Sequence, residues 1–257
     1  MHIKEFAGYV LDLDGTVYLG EDAIPGAAEA IAAMRARGAR VLFLSNKPIE
    51  RPDAYATKLT RLGIPATSAD VLSSPAALAS RLAEEAPGAR LYLIAEDPVR
   101  EAVVRRGLVP VDGPPADYVV ASWDRNLHYE HLVMALRCIR AGAHLVATNP
   151  DRTCPMPGGE LPDAGATIAA LEACSGVGCS WVAGKPSPRM LEAAMERLRL
   201  PMEDCLLVGD RLETDMVMGQ VAGMRTALVL SGVTRREDLE RSLVRPTYVV
   251  SSLAVLG

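Results

Sequence analysis

Short runs of successive apolar residues punctuate the chain, each bounded by polar residues or glycine: Tyr9–Leu13, Val41–Leu44, Leu206–Val208 and Ala227–Leu230. Apolar residues on consecutive rather than alternate positions mark strands buried on both faces, hence a parallel sheet covered by helices. Between the first two runs lies Ala27–Arg37, apolar at helical spacing and closed by Gly38, which completes a βαβ unit. A second series occupies the middle of the chain. Leu91–Ala95, Tyr118–Ala121 and His144–Ala147 read as strands, and Val99–Arg106, Tyr129–Arg140 and Ala164–Cys174 as helices. Turn-rich stretches, Ser73-Ser74-Pro75 and Ser175–Ser180, flank that series. The pattern predicts an α/β core domain built from residues 1–75 and 181–257, with a second α/β domain inserted at 76–180.

At 257 residues, 49% of them apolar, the chain has material for a substantial core. Charged residues make up 23% and the net charge is −5, so neither a nucleic-acid partner nor attraction to an anionic membrane is expected. A bound phosphate would have to be held locally, by a metal or a few placed cations. The five cysteines are Cys138, Cys154, Cys174, Cys179 and Cys205, an odd number without a CxxC pair. That argues against a disulfide framework or a zinc site and for a reduced, cytoplasmic setting. The N-terminal stretch carries charges inside its first apolar run and does not read as a signal peptide. No apolar run reaches the ~18–20 residues of a membrane helix.

Four segments carry candidate chemistry. Asp12-Leu13-Asp14-Gly15-Thr16 follows the first strand. Side chains alternate along a strand, so Asp12 and Asp14 share a side, about 7 Å apart if extended. Two carboxylates there call for compensation, and a divalent cation is the obvious one. A solvated acidic turn, or the metal-binding DxD of a sugar-nucleotide transferase, fits the same residues. Ser45-Asn46-Lys47-Pro48 closes the second strand. A hydroxyl and backbone N–H groups at a helix start, with Pro48 in the first turn, make an anion site or merely an N-cap. Lys185, in Gly184-Lys185-Pro186-Ser187-Pro188, precedes a helix beginning near Pro188, where it can meet a phosphate or remain a surface lysine. Asp210 and Asp215 follow the strand Leu206–Val208; Asp210 can complete a magnesium site begun by Asp12, or the pair can be an ordinary acidic loop. In a doubly wound sheet ligands bind beyond the carboxyl ends of the strands, where the three strand-end segments lie. Carboxylates for metal, a hydroxyl for phosphate and a lysine for charge together make a phosphoryl-transfer site.

These four segments, in this order and spacing, resemble the motifs of the haloacid dehalogenase-like phosphatases. The insertion resembles a type II α/β cap on a Rossmann-like core, within the NagD, para-nitrophenyl phosphatase and phosphoglycolate phosphatase group. Trp123–Leu127, Ala147–Asp151 and Leu230–Thr234 match that group as well. The resemblance implies a magnesium-dependent phosphomonoester hydrolase. In it Asp12 is the nucleophile that becomes an aspartyl phosphate, and Asp14 is the general acid/base. Ser45 and the Asn46 N–H hold phosphate oxygens, and Lys185 stabilises charge. Magnesium is held by Asp12, the Asp14 backbone carbonyl, Asp210 and, through water, Asp215. A dehalogenase would lack the acid at Asp14.

The cap is expected to close over the site and supply substrate contacts. Asp151–Asp163, rich in proline and glycine, is the candidate specificity loop, with Asp151 and Arg152 as its substrate-facing residues; Cys154 lies in the same loop and reads more simply as an inert thiol. His128 and His131 do not form a zinc motif, and His2 and His144 read as ordinary residues. The partner is expected to be a small phosphorylated metabolite, and a homodimer through the cap is left open. Sugar phosphates, phosphoglycolate, glycerol phosphate, nucleotides and aryl phosphates are all candidate substrates. A phosphometabolite-binding regulatory protein of the same fold, or a phosphomutase, is the alternative.

Overall fold

The structure, a computed structural model, describes residues 3–156 and 158–257. His2, and Pro157 within the expected specificity loop, lie outside the described residues. The chain folds as two units. One comprises Met1–Ser45, Pro52–Leu72 and Lys185–Gly257; the other comprises Asn46–Arg51 and Ser73–Gly184.

The chain begins with β1 (Gly8–Asp12), a short antiparallel ribbon of β2 (Tyr18–Leu19) and β3 (Asp22–Ala23), α1 (Ala27–Ala36), β4 (Arg40–Ser45), α2 (Pro52–Arg61) and β5 (Val71–Ser73). It continues through α3 (Ser74–Glu85), β6 (Arg90–Ile94), α4 (Asp97–Arg105), β7 (Val109–Val111), β8 (Tyr118–Ala121), α5 (Tyr129–Arg140), β9 (His144–Ala147), β10 (Thr153–Met156), β11 (Gly159–Pro162), α6 (Ala164–Ser175) and β12 (Trp181–Val182). It returns with α7 (Pro188–Leu198), β13 (Cys205–Gly209), α8 (Val217–Ala222), β14 (Arg225–Val229), α9 (Arg236–Arg241) and β15 (Tyr248–Val250).

In the first unit six strands form one sheet in the order β15-β14-β13-β1-β4-β5. β1 pairs in parallel with both β13 and β4, and every residue of β1 and β13 is buried. This is the double-sided burial that the apolar runs predict. Leu11, Leu13, Phe43, Leu206 and Val208 lie in one core cluster with Ile31 and Met34 of α1. Each such side chain contributes about 1.5–3 kcal/mol relative to exposure. After β1 the chain builds outward to β4 and β5 on one side and later to β13, β14 and β15 on the other. The topological switch therefore falls between β1 and β13, and the crevice at their carboxyl ends is where such sheets take ligands. Leu11 pairs with Val208 and Asp12 with Leu44, so Asp12, Ser45 and Asp210 all sit at that end.

The second unit has its own five-stranded sheet, β12-β9-β8-β6-β7, parallel throughout, and its own core around Ile94, Val119, Leu145 and Leu171. Among the described residues no helix is long and apolar enough to cross a membrane.

Three local expectations change. The helix after β4 starts at Pro52 rather than Pro48, because a helix begun at 48 would need the N–H that Pro52 lacks. Ser73-Ser74-Pro75 is a strand end and the first turn of α3, with Pro75 where its missing N–H costs nothing. The stretch Asp151–Asp163 is not a plain loop. Thr153–Met156 pairs antiparallel with Gly159–Pro162. Both strands of a two-stranded ribbon are edges, where proline is tolerated.

Candidate active site

β1 delivers Asp12 as its last residue. The chain then turns tightly, with the Leu13 carbonyl accepting from the N–H groups of Thr16, Val17 and Tyr18 at 3.2, 2.9 and 3.2 Å. Gly15 makes the turn at φ 83°, a left-handed conformation that L side chains rarely adopt. The two carboxylates that share this segment end in different surroundings. Asp12 is buried, whereas Asp14 is exposed.

Lys185, 4% exposed, enters from the loop before α7. Its ammonium pairs with Asp12 Oδ1 and, at 2.8 Å, with Asp215 Oδ1. Burial alone would lower the lysine pKa, but Asp12 and Asp215 outweigh it and the net shift is upward, so the cation is locked in its charged form. Asp215 reaches this position because Leu212–Met216 winds as a π-helical turn, a rare geometry that often marks functional sites.

Asp210 lies just beyond β13. Its Oδ2 accepts from the Val233 N–H at 2.7 Å, while its Oδ1 is buried without a hydrogen-bond partner among the described residues. One oxygen each from Asp12, Asp210 and Asp215 fall within 4.8 Å of one another. Burial drives Asp12 well above the ordinary carboxylate range; Lys185 opposes the shift and the neighbouring Asp215 and Asp210 add to it. Burial, and next Asp215, push Asp210 up to about 6. Three buried carboxylates around one buried lysine, with Arg211 a lesser opposing influence on Asp210, leave an excess of negative charge, and a partnerless buried carboxylate oxygen is costly. A divalent cation would answer both, and the oxygen-only donor set suits magnesium.

Glycines make the room. A Cβ on Gly15 or Gly232 would run into the Asp210 carboxylate, and one on Gly209 into that of Asp215. Ser45, at the end of β4, is buried and donates its hydroxyl to Tyr55 Oη of α2 at 2.9 Å.

The remaining candidates belong to the second unit. The Asn46 side chain donates to Asp151 Oδ2 at 2.9 Å, and Arg152 is exposed at the start of the β10–β11 ribbon. Thus the first unit gathers Asp12, Lys185, Asp210 and Asp215, and the second joins Asn46 to Asp151.

Two supports go beyond the roles read from the sequence, although Leu230–Thr234 is among the matching segments. Gly232-Val233 holds Asp210, and the neighbouring Ser231 hydroxyl donates to the Gly15 carbonyl at 2.8 Å. The available signal was a further apolar strand, β14, ending near Ser-Gly-Val-Thr. Tyr55 beneath Ser45 left no signal, since a tyrosine on an amphipathic helix reads as core.

The Haloacid dehalogenase-like hydrolase family model matches residues 9–109, and a HAD-hydrolase-like model matches residues 182–256. A 5'-nucleotidase of Bacillus subtilis is 36% identical over 251 residues, which is 98% of this chain and 97% of that protein. A 4-nitrophenylphosphatase from Thermotoga maritima superposes with a TM-score of 0.92 at 33% identity, covering 97% of this chain and 95% of that one. A glycerol phosphate phosphatase from Mycobacterium tuberculosis, solved in complex with magnesium, gives a TM-score of 0.92 at 35% identity, covering 99% of this chain and 78% of that one. With the carboxylate site at the switch point of its sheet and this likeness over nearly its full length, the chain belongs to the haloacid dehalogenase-like hydrolase family.

Proposed function

We propose that the chain is a phosphatase that hydrolyses small phosphomonoesters by way of a phosphoryl group carried on Asp12. The observation that carries this reading is the buried Lys185 ammonium bridging Asp12 and Asp215 beside an Asp210 oxygen that has no hydrogen-bond partner among the described residues. A purely structural ion cluster would not leave a carboxylate oxygen orphaned.

In the proposed reaction a carboxylate oxygen of Asp12 attacks phosphorus as the ester P–O bond breaks. Asp14 gives its proton to the departing alkoxide. Asp14 then takes a proton from water as that water attacks the aspartyl phosphate, returning Asp12 and releasing inorganic phosphate. The exposure of Asp14 supports this role, because a group that exchanges protons with leaving group and water must reach both. Lys185 offsets charge on Asp12 and the phosphoryl oxygens. Ser45 and the Asn46 N–H hold those oxygens; the serine hydroxyl has a single proton, so it turns from Tyr55 Oη to the phosphate when substrate binds. A magnesium ion would be held by Asp12, Asp210, the Asp14 carbonyl and, through water, Asp215, and would neutralise charge between nucleophile and phosphate.

The relatives named above are a 5'-nucleotidase, a 4-nitrophenylphosphatase and a glycerol phosphate phosphatase, which supports a small ester as the substrate. Arg152, exposed just before the ribbon, is the proposed contact for an anionic leaving group. Arg152→Ala should raise KM only for such esters. Across a panel of phosphorylated metabolites, phosphate release should require magnesium and stop with EDTA. Asp12→Asn should lower kcat by more than about a thousandfold. Wild-type rates in Asp12→Asn would remove the nucleophile from the account, and tight phosphate binding without turnover of any ester would favour a binding protein.

A further inference from the structure

In the second unit a polar cluster surrounds the segment that follows Ser45. Asn46 is buried, and its side-chain amide donates to Asp151 Oδ2. Asn149, fully buried, donates to the same oxygen at 3.1 Å and to Asp163 Oδ1 at 3.0 Å. The Thr148 hydroxyl donates to Asn149 Oδ1 at 2.7 Å, which fixes the orientation of that amide. The Ser74 hydroxyl donates to the Asn46 carbonyl at 2.6 Å. Two glycines are fitted to this arrangement. A Cβ on Gly184 would strike Asn46 Oδ1, and one on Gly165 would lie 2.8 Å from the Asp151 carbonyl oxygen, which accepts from the Gly165 N–H at 2.8 Å. Asp151 is thus held at its main chain by α6 and at its carboxylate by two amides.

A carboxylate already accepting from two amides, and itself anionic, is a poor direct partner for a phosphorylated substrate. Its reach toward the chemistry runs through Asn46. We propose that Asp151 is a positioning residue for the phosphoryl group: by anchoring the Asn46 side chain it fixes the main chain directly after Ser45. This inference rests on the proposed use of Ser45 and the Asn46 N–H to hold phosphate oxygens. It separates Asp151 from Arg152, since a phosphate-positioning residue affects every ester alike and a leaving-group contact does not.

The test uses inorganic phosphate as a product inhibitor that has no leaving group. Asp151→Ala should raise KM for a neutral and for an anionic ester, and Ki for inorganic phosphate, by one common factor of about tenfold, with kcat changed less. Asp151→Asn, which keeps an acceptor oxygen, should recover most of the loss. Asn46→Ala should give the same joint rise, and the double variant should be no worse than Asn46→Ala alone. Should Asp151→Ala fail to fold, Asn46→Ala must still show KM and Ki rising together. A KM change confined to one ester, with phosphate Ki unmoved, would overturn the assignment in favour of a leaving-group contact. A lowered melting temperature with KM and Ki unchanged, or additive effects in the double variant, would overturn it in favour of a structural role. Wild-type insensitivity to inorganic phosphate would instead mark the failure of the Ser45–Asn46 reading, and this inference would fall with it.

Discussion

Asp210 shows how a site assembled for chemistry works against the fold that holds it. Its carboxyl titrates near 6 in the folded chain, above the ordinary carboxylate value, because it is buried beside Asp215. A raised pKa means that the folded state binds the proton more tightly than the unfolded state. This group therefore favours folding at low pH, and the benefit fades as pH rises from about 4 through about 6. Asp210→Asn should accordingly stabilise the metal-free protein at pH 7.5 by on the order of 2 kcal/mol, shrinking toward zero at pH 4, while abolishing activity. Chemical denaturation with EDTA present, at both pH values, measures this; a variant less stable than wild type at pH 7.5 would show that the charge is compensated within the protein. At this scale the sequence was informative where a residue ended a strand. Asp12, Ser45 and Asp210 are legible because an apolar run stops at or just before each. The place of Asp215 against Lys185 was not legible, because it depends on a π-helical turn that has no sequence period of its own.

At the scale of elements, strands and loops set the site to within a methyl group. Gly232 lies in the loop after β14, not on a strand that ends in one of the clustered carboxylates, yet a Cβ there would collide with Asp210. Its backbone does not need the left-handed region, unlike that of Gly15, so Gly232→Ala tests the close approach alone. The expected result is a magnesium requirement raised at least about tenfold, with a melting temperature in EDTA close to wild type. Normal magnesium activation would mean that the loop yields. The helices and buried strands followed from their apolar spacing, and α5 begins and ends where that spacing puts it, at Tyr129 and Arg140. The short edges did not. β7 contains Pro110 and β12 has two residues, so neither carries a strand's signature in sequence; both exist because a neighbouring strand offers them hydrogen bonds.

At the scale of the molecule, two units with separate cores share one chain, and the carboxylate cluster lies wholly in one of them. The strand–helix alternation in the middle of the sequence announced a second unit. It gave no hint that Asn46–Arg51, far upstream, packs with that unit, because six residues with no period of their own are placed by tertiary hydrogen bonds. A cation binding only the folded first unit should protect that unit's amides. At a hundred times its dissociation constant, magnesium should slow exchange in β1 and β13 by up to about 2.7 kcal/mol and leave β6 and β8 nearly unchanged. Hydrogen exchange with and without magnesium reads this directly, and equal protection in both sheets would argue that the ion binds elsewhere or that the two units open together.

In the proposed reaction Asp12 carries the phosphoryl group. The most direct test is to quench the enzyme in acid during turnover of a small phosphomonoester with magnesium and to map the phosphoryl label by peptide mass. One hydroxylamine-labile phosphoryl group is expected on Asp12, absent with EDTA and absent in Asp12→Asn. Sustained turnover with Asp12 unlabelled, in a protein whose Asp12→Asn variant keeps its activity, would contradict it.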